Sequence, residues 1–112
     1  MNVQNLVPKA TAKEAFRRSL LGRIPDRPGC YVLSTFDGTV LYVGLAADIR
    51  RRIGQHLDAD AKVQKTSRGR AILVHWVETH ELQAVERGWL NLHIAYEGGL
   101  PILNKIASPL SI

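Results

Sequence analysis

Cysteine is almost missing from this 112-residue chain, with Cys30 standing alone. A single thiol excludes an internal disulfide framework and any zinc site built on several cysteines. No apolar run approaches the ~20 residues that span a bilayer, and the first residues lack the apolar core of a signal peptide. A soluble, cytoplasmic protein is therefore expected. Acidic side chains are outnumbered, 10 Asp and Glu against 15 Lys and Arg, which gives a net charge of +5. That balance points towards nucleic acid or another anionic surface without choosing between them. What is present is an ordinary globular composition, 46% apolar and 22% charged, in a length that suits one domain with its own core.

The chain is organised around a hairpin from Gly29 to Gly44, reading GCYVLSTFDGTVLYVG. Two β-rich runs, Cys30–Phe36 and Thr39–Val43, flank Asp37-Gly38, and Asp-Gly between apolar runs is a strong hairpin signal. A two-residue loop there predicts the pairs Phe36 with Thr39, Leu33 with Tyr42, and Tyr31 with Gly44. Residues opposite each other share a face, as do residues two apart on one strand. Tyr31 and Tyr42 then lie diagonally on one face, ~7–8 Å apart at the backbone. Gly44 leaves a slot beside them. A three-residue loop reverses the parity and separates the two phenols.

Residues 1–10 show no periodic pattern and read as a loose lead-in. Thr11 with Glu14 has capping-box spacing, so a short helix is predicted over 12–21, with Phe16, Leu20 and Leu21 on its apolar side. Gly22 stops it, and Pro25 and Pro28 deliver extended backbone into the hairpin. After the hairpin, Ala46–Leu57 reads as a helix with Asp48 at its positive end and Ile49, Ile53 and Leu57 as its buried stripe. Arg51 points away from that stripe, Arg50 sits on one shoulder, and Arg52 with His56 sits on the other. Residues 58–70 form a polar loop holding Lys62, Lys65, Arg68 and Arg70, spaced to suit phosphate contacts or simple solvation. Ala71–Val77 reads as a more central strand with His75 and Trp76 in or near the core. A longer helix follows from Glu81 to about Tyr96, with Leu82, Val85, Trp89, Leu92 and Tyr96 on one stripe. Glu86 falls on its shoulder, where a carboxylate needs a partner, a hydrogen bond or a metal. Gly98-Gly99 closes the helix, and Asn104 follows the extended segment opened by Pro101.

In combination these features resemble the GIY-YIG nuclease family. Gly29-Cys30-Tyr31 and Tyr42-Val43-Gly44 look like its paired tripeptides. Arg52, ten residues after Tyr42, looks like its helix arginine, and His56 matches a position where some members carry histidine. Glu86 is similar to the family's metal-binding glutamate, and Pro101-Ile102-Leu103-Asn104 to its closing P-x-x-N element. Residues 24–106 carry the resemblance, between a lead-in and short helix at 1–23 and a tail at 107–112. The stretches around Pro25 and Tyr42 look like the nuclease domain of bacterial excision-repair proteins. Leu45 is a departure, since many relatives carry lysine or another polar residue there.

The resemblance implies an α/β (α+β) fold, a small three-stranded antiparallel sheet flanked by helices. It also implies a metal-dependent endonuclease that hydrolyses DNA with low sequence specificity, or guided by DNA structure or by a partner protein. Glu86 would hold Mg²⁺ or Mn²⁺, and Arg52 would pair with the scissile phosphate. Tyr42 would be the general base, Tyr31 would orient water or phosphate, and Asn104 would brace the site, with His56 beside them. Arg50, Lys62, Lys65, Arg68 and Arg70 would hold DNA. The alternative is a nucleic-acid-binding module that keeps the fold without turnover.

Overall fold

A computed structural model describes residues 1–105. The expected tail at 107–112 and the boundary at 106 lie outside these residues. Four antiparallel strands form one sheet in the order β1-β4-β2-β3: β1 (Ala12–Ala15), β2 (Gly29–Ser34), β3 (Val40–Ala46) and β4 (Leu73–Glu78). The sheet carries one strand more than expected, because the predicted helix over 12–21 does not form. Ala12–Ala15 instead pairs with β4, Ala12 opposite Trp76 and Ala15 opposite Leu73. The Thr11 hydroxyl, expected to cap a helix, donates to the Trp76 carbonyl instead. An isolated ten-residue helix is marginal, so an open sheet edge outcompetes local propensity here. A 3-10 turn at Arg18–Arg23 follows, and Phe16 is still buried.

The sheet is covered on both faces, which is why every residue of β2 is buried. One face carries Tyr31, Leu33, Tyr42, Val74 and Trp76, packed against Ile49 and Ile53 of α1 (Ile49–Leu57). The other carries Cys30, Val32 and Val43, packed against Trp89 of α3 (Leu82–Glu97). The expected lead-in belongs to this second layer: Met1 and Leu6 are buried, the Met1 amine pairs with Glu97, and Trp89 Nε1 donates to the Pro8 carbonyl. The apolar stripe of α3 ends earlier than predicted. Tyr96 is 58% exposed, and His93 takes the inward position one turn back. Gly98, at φ 80°, closes the helix in the left-handed conformation that its lack of a side chain permits.

The hairpin tip differs from the predicted one, yet the outcome for the tyrosines is the same. The Gly38 N–H donates to the Thr35 carbonyl and the Thr35 N–H to the Thr39 carbonyl, so the loop holds three residues, 36–38. That length alone would put Tyr31 and Tyr42 on opposite faces. A bulge reverses the error: Ser34 pairs with Val40 but Leu33 pairs with Tyr42, which leaves Leu41 as an extra residue on β3. Leu41 and Tyr42 consequently face the same core although adjacent in sequence. The Leu41 carbonyl, freed from the ladder, accepts from the Leu103 N–H.

Candidate active site

Tyr31, Tyr42 and His56 form a packed aromatic cluster. The ring centroids lie 6.1 Å apart for the tyrosines, 5.7 Å for Tyr31 and His56, and 5.1 Å for Tyr42 and His56. Tyr31 Oη is 2.6 Å from His56 Nε2. Gly44 makes this packing possible. A Cβ there would sit 2.6 Å from Tyr31 Cζ and Oη and 2.8 Å from Tyr42 Cε2. The slot predicted beside the phenols is therefore filled by the phenols themselves, and no space for a phosphate remains at Gly44.

Helix α1 brings His56 and Arg52 to this face. Asp48 caps it by accepting from the Arg51 N–H, while Arg27 and Pro25 carbonyls take the N–H groups of Ile49 and Arg50. Arg52 is half-buried and lines a cleft of about 200 Å³ with Ala46, Ala47, Asp48, Arg51 and Gln55. Its guanidinium pulls down the proton affinity of both phenols. Burial works against it and is the larger effect, so Tyr31 and Tyr42 both titrate above the ordinary phenol value. His56 is fully buried and is pushed down to about 3, by burial first and then by the charges of Lys62 and Arg52. It is a neutral imidazole at physiological pH, and among the described residues its buried Nδ1 has no hydrogen-bond partner.

Glu86 comes from α3, on the opposite face of the sheet from the tyrosines, and is half-buried. Its negative charge nonetheless acts on Tyr31, Tyr42 and Cys30. Burial raises Glu86 above the usual carboxylate range. Among the described residues, no group of three or more His, Cys, Asp or Glu side chains could hold a metal ion. One half-buried carboxylate such as Glu86 suits Mg²⁺, which keeps most of its waters and takes few protein ligands.

Asn104 braces the edge strand. Its Oδ1 accepts from the Val43 N–H and its Nδ2 donates to the Val43 carbonyl, both at 2.9 Å. The side chain thereby acts as a missing β-partner for the residue after Tyr42.

The five cations assigned to DNA separate into different roles. Lys62 belongs to a short helix, α2 (Asp60–Val63), and is 1% exposed, with its Nζ 4.6 Å from the centroid of the Tyr42 ring. Spacing alone could not have placed it there, because a four-residue helix carries no periodic signal. Arg50 donates to the carbonyls of Ile24 and Gly22, closing the 3-10 turn against α1. Arg68 is exposed and pairs with Glu97 at 2.8 Å. Lys65 and Arg70 are exposed. The segment between them is an ordered turn, held by reciprocal backbone bonds of Thr66 and Gly69.

Residues 27–97, well over half of the chain, match the model of the GIY-YIG catalytic domain. The chain belongs to the GIY-YIG family. It is 38% identical over 61 residues to the UvrABC system protein C of Finegoldia magna, and 45% identical over 47 residues to that of Malacoplasma penetrans. These matches span 54% and 40% of this chain. It is also 39% identical over 56 residues, half its length, to a Mycobacterium tuberculosis protein provisionally named a bifunctional exonuclease/endonuclease. The matched stretches amount to 9%, 8% and 9% of those three relatives, so the GIY-YIG chain spans under a tenth of their length. Among the described residues, no helix is long and apolar enough to cross a membrane.

Proposed function

We propose that this chain is a metal-dependent DNA endonuclease, with cleavage of low sequence specificity or directed by DNA structure or a targeting protein. The observation that carries the reading is the convergence on Tyr42. Tyr31 from β2, Arg52 and His56 from α1 and Glu86 from α3 all pack against its phenol or act on its charge. The substrate class is supported by family membership and by relatives whose names place them in the UvrABC system or call them nucleases.

In this reading Tyr42, as phenolate, takes a proton from water as the water oxygen bonds to phosphorus and the bond to the 3′ oxygen breaks. Arg52, which lines a cleft and acts on the charge of Tyr42, pairs with the scissile phosphate and offsets charge that builds in the transition state. It also favours the phenolate. Tyr31, sealed from solvent and fixed by His56, packs against the Tyr42 ring and positions it rather than touching water or phosphate. Neutral His56 orients Tyr31 without adding a competing charge. Glu86 would hold Mg²⁺ or Mn²⁺, which supplies Lewis-acid stabilisation of the phosphate and the leaving oxygen. Asn104 keeps β3, and with it Tyr42, in register.

The second reading, a binding module without turnover, draws support from the raised proton affinity of Tyr42, which opposes its use as a base. A plasmid-nicking assay with Mg²⁺ or Mn²⁺ against EDTA separates the two. The endonuclease reading expects metal-dependent nicking that falls on the order of 100-fold in Glu86→Ala, Arg52→Ala and Tyr42→Phe. Salt-sensitive DNA binding with no nicking under any metal or substrate would establish the binding module instead.

A further inference from the structure

Lysine is almost never fully buried without a partner, because removing an ammonium from water is costly. Lys62 is buried all the same, and among the described residues no carboxylate forms an ion pair with it. What its ammonium meets is the Tyr42 ring, at 4.6 Å. A cation over a phenol gains something from the ring's negative face. It gains much more when the phenol ionises, since the charge then delocalises into the same ring.

We propose that Lys62 is a positioning residue of the active site, a buried cation seated against Tyr42 that favours its phenolate. The proposal rests on the endonuclease reading only for its consequence in catalysis. The charges around Tyr42 leave room for such a role. Tyr31 is a neutral phenol, His56 is a neutral imidazole, and the Arg52 charge that favours the Tyr42 phenolate is opposed by that of Glu86. Leu45, three residues beyond Tyr42, supplies none. Lys62 also contributes to keeping His56 unprotonated, so the charge beneath Tyr42 stays on the lysine. Burial lowers the proton affinity of Lys62 itself. A phosphate contact on the surface, the ordinary use of a lysine in a basic segment, is closed to a side chain that is 1% exposed. The short helix α2 thereby becomes a wall of the active site.

The test replaces Tyr42 of the full chain with difluorotyrosine, whose more acidic phenol titrates in an accessible range, and follows it by fluorine NMR. Lys62→Met is expected to move that titration up by about 1–3 pH units, and Lys62→Arg to restore most of the shift. Lys62→Gln, equally uncharged, is carried alongside in case the methionine variant does not fold. In the unlabelled protein, Lys62→Met lowers the nicking rate about 10-fold or more with DNA affinity unchanged, and difluorotyrosine at position 42 recovers part of the loss. An unmoved phenol titration overturns the proposal whatever happens to the rate. Loss of DNA affinity with an unmoved titration would make Lys62 a phosphate contact. If the parent chain nicks no DNA, the endonuclease reading falls, while the titration still decides what Lys62 does to Tyr42.

Discussion

Tyr31 Oη and His56 Nε2 are 2.6 Å apart, and both side chains are sealed from solvent. Burial and two neighbouring cations hold His56 at about 3, against 6.5 for an ordinary histidine. The folded chain therefore refuses a proton that the unfolded chain accepts below about pH 6.5. Stability from this site is complete above that pH and is lost as pH falls towards 3, at up to about 1.4 kcal/mol per pH unit. Urea unfolding between neutral pH and about pH 4 is expected to show a steeper loss in the parent chain than in His56→Gln, which has no imidazole to protonate. Parallel slopes would contradict it.

Gly44→Ala places a methyl 2.6 Å from the Tyr31 phenol carbon and oxygen. No end of a flexible chain can yield there, because the atoms it meets belong to tyrosines packed in the core. The variant should lose about 1–3 kcal/mol in denaturant midpoints, with nicking reduced as the phenols move. Parent-like stability would mean that the tyrosines are less tightly placed than the rings indicate.

Asn104→Ala removes both bonds that clamp Val43. The expected cost is about 1–2 kcal/mol, with nicking lowered and DNA affinity retained. Asn104→Asp keeps an acceptor for the Val43 N–H but sets a carboxylate against the Val43 carbonyl, so it should recover little of the loss. A full rescue by aspartate would show that only the acceptor matters.

Glu86 separates stability from activity. Burial raises its proton affinity in the fold, so ionised Glu86 costs stability, and the cost grows as pH rises above the ordinary carboxylate range. Glu86→Gln should match or exceed the parent by no more than about 1 kcal/mol at neutral pH, since the half-exposed carboxylate still sees solvent. The gain should vanish in acid, where both side chains are neutral. Nicking by the same variant should fall on the order of 100-fold. A marked loss of stability at neutral pH would point to a structural role instead.

The surface cations divide by what they touch. Arg50→Ala should lower stability by about 1 kcal/mol through its lost bonds to Ile24 and Gly22, with little change in DNA binding. Lys65→Ala and Arg70→Ala, at exposed positions, should leave the melting temperature alone, weaken DNA binding evenly across sequences and flatten its salt dependence. Filter binding at several ionic strengths distinguishes the two groups.

Side-chain spacing made the placement of most candidate-site residues legible. The alternation of β2 placed Tyr31, the 3.6-residue period of α1 placed Arg52 and His56 on one shoulder, and α3 offered Glu86 at a core margin. What stayed hidden depended on contacts remote in sequence. Ala12–Ala15 has the composition of a helix and becomes a strand because the edge of β4 is open to it. Met1 and Leu6 carry no period, yet they are buried against the α3 layer. Lys62 looks like any cation in a polar segment until the Tyr42 ring is found beneath it.

The extra residue at Leu41 has a consequence for how this hairpin tolerates change. Ser34 stays opposite Val40 and Leu33 opposite Tyr42 whatever the length of 36–38, so the tip can change without turning Tyr42. Removing one residue from 36–38 should leave the phenols together, and removing Leu41 should straighten β3 with Tyr42 still opposite Leu33. What the second deletion removes is a core side chain and the carbonyl that receives the Leu103 N–H. The bulge thus fastens the segment before Asn104 to the sheet, and length changes should be borne at the tip and felt at Leu41.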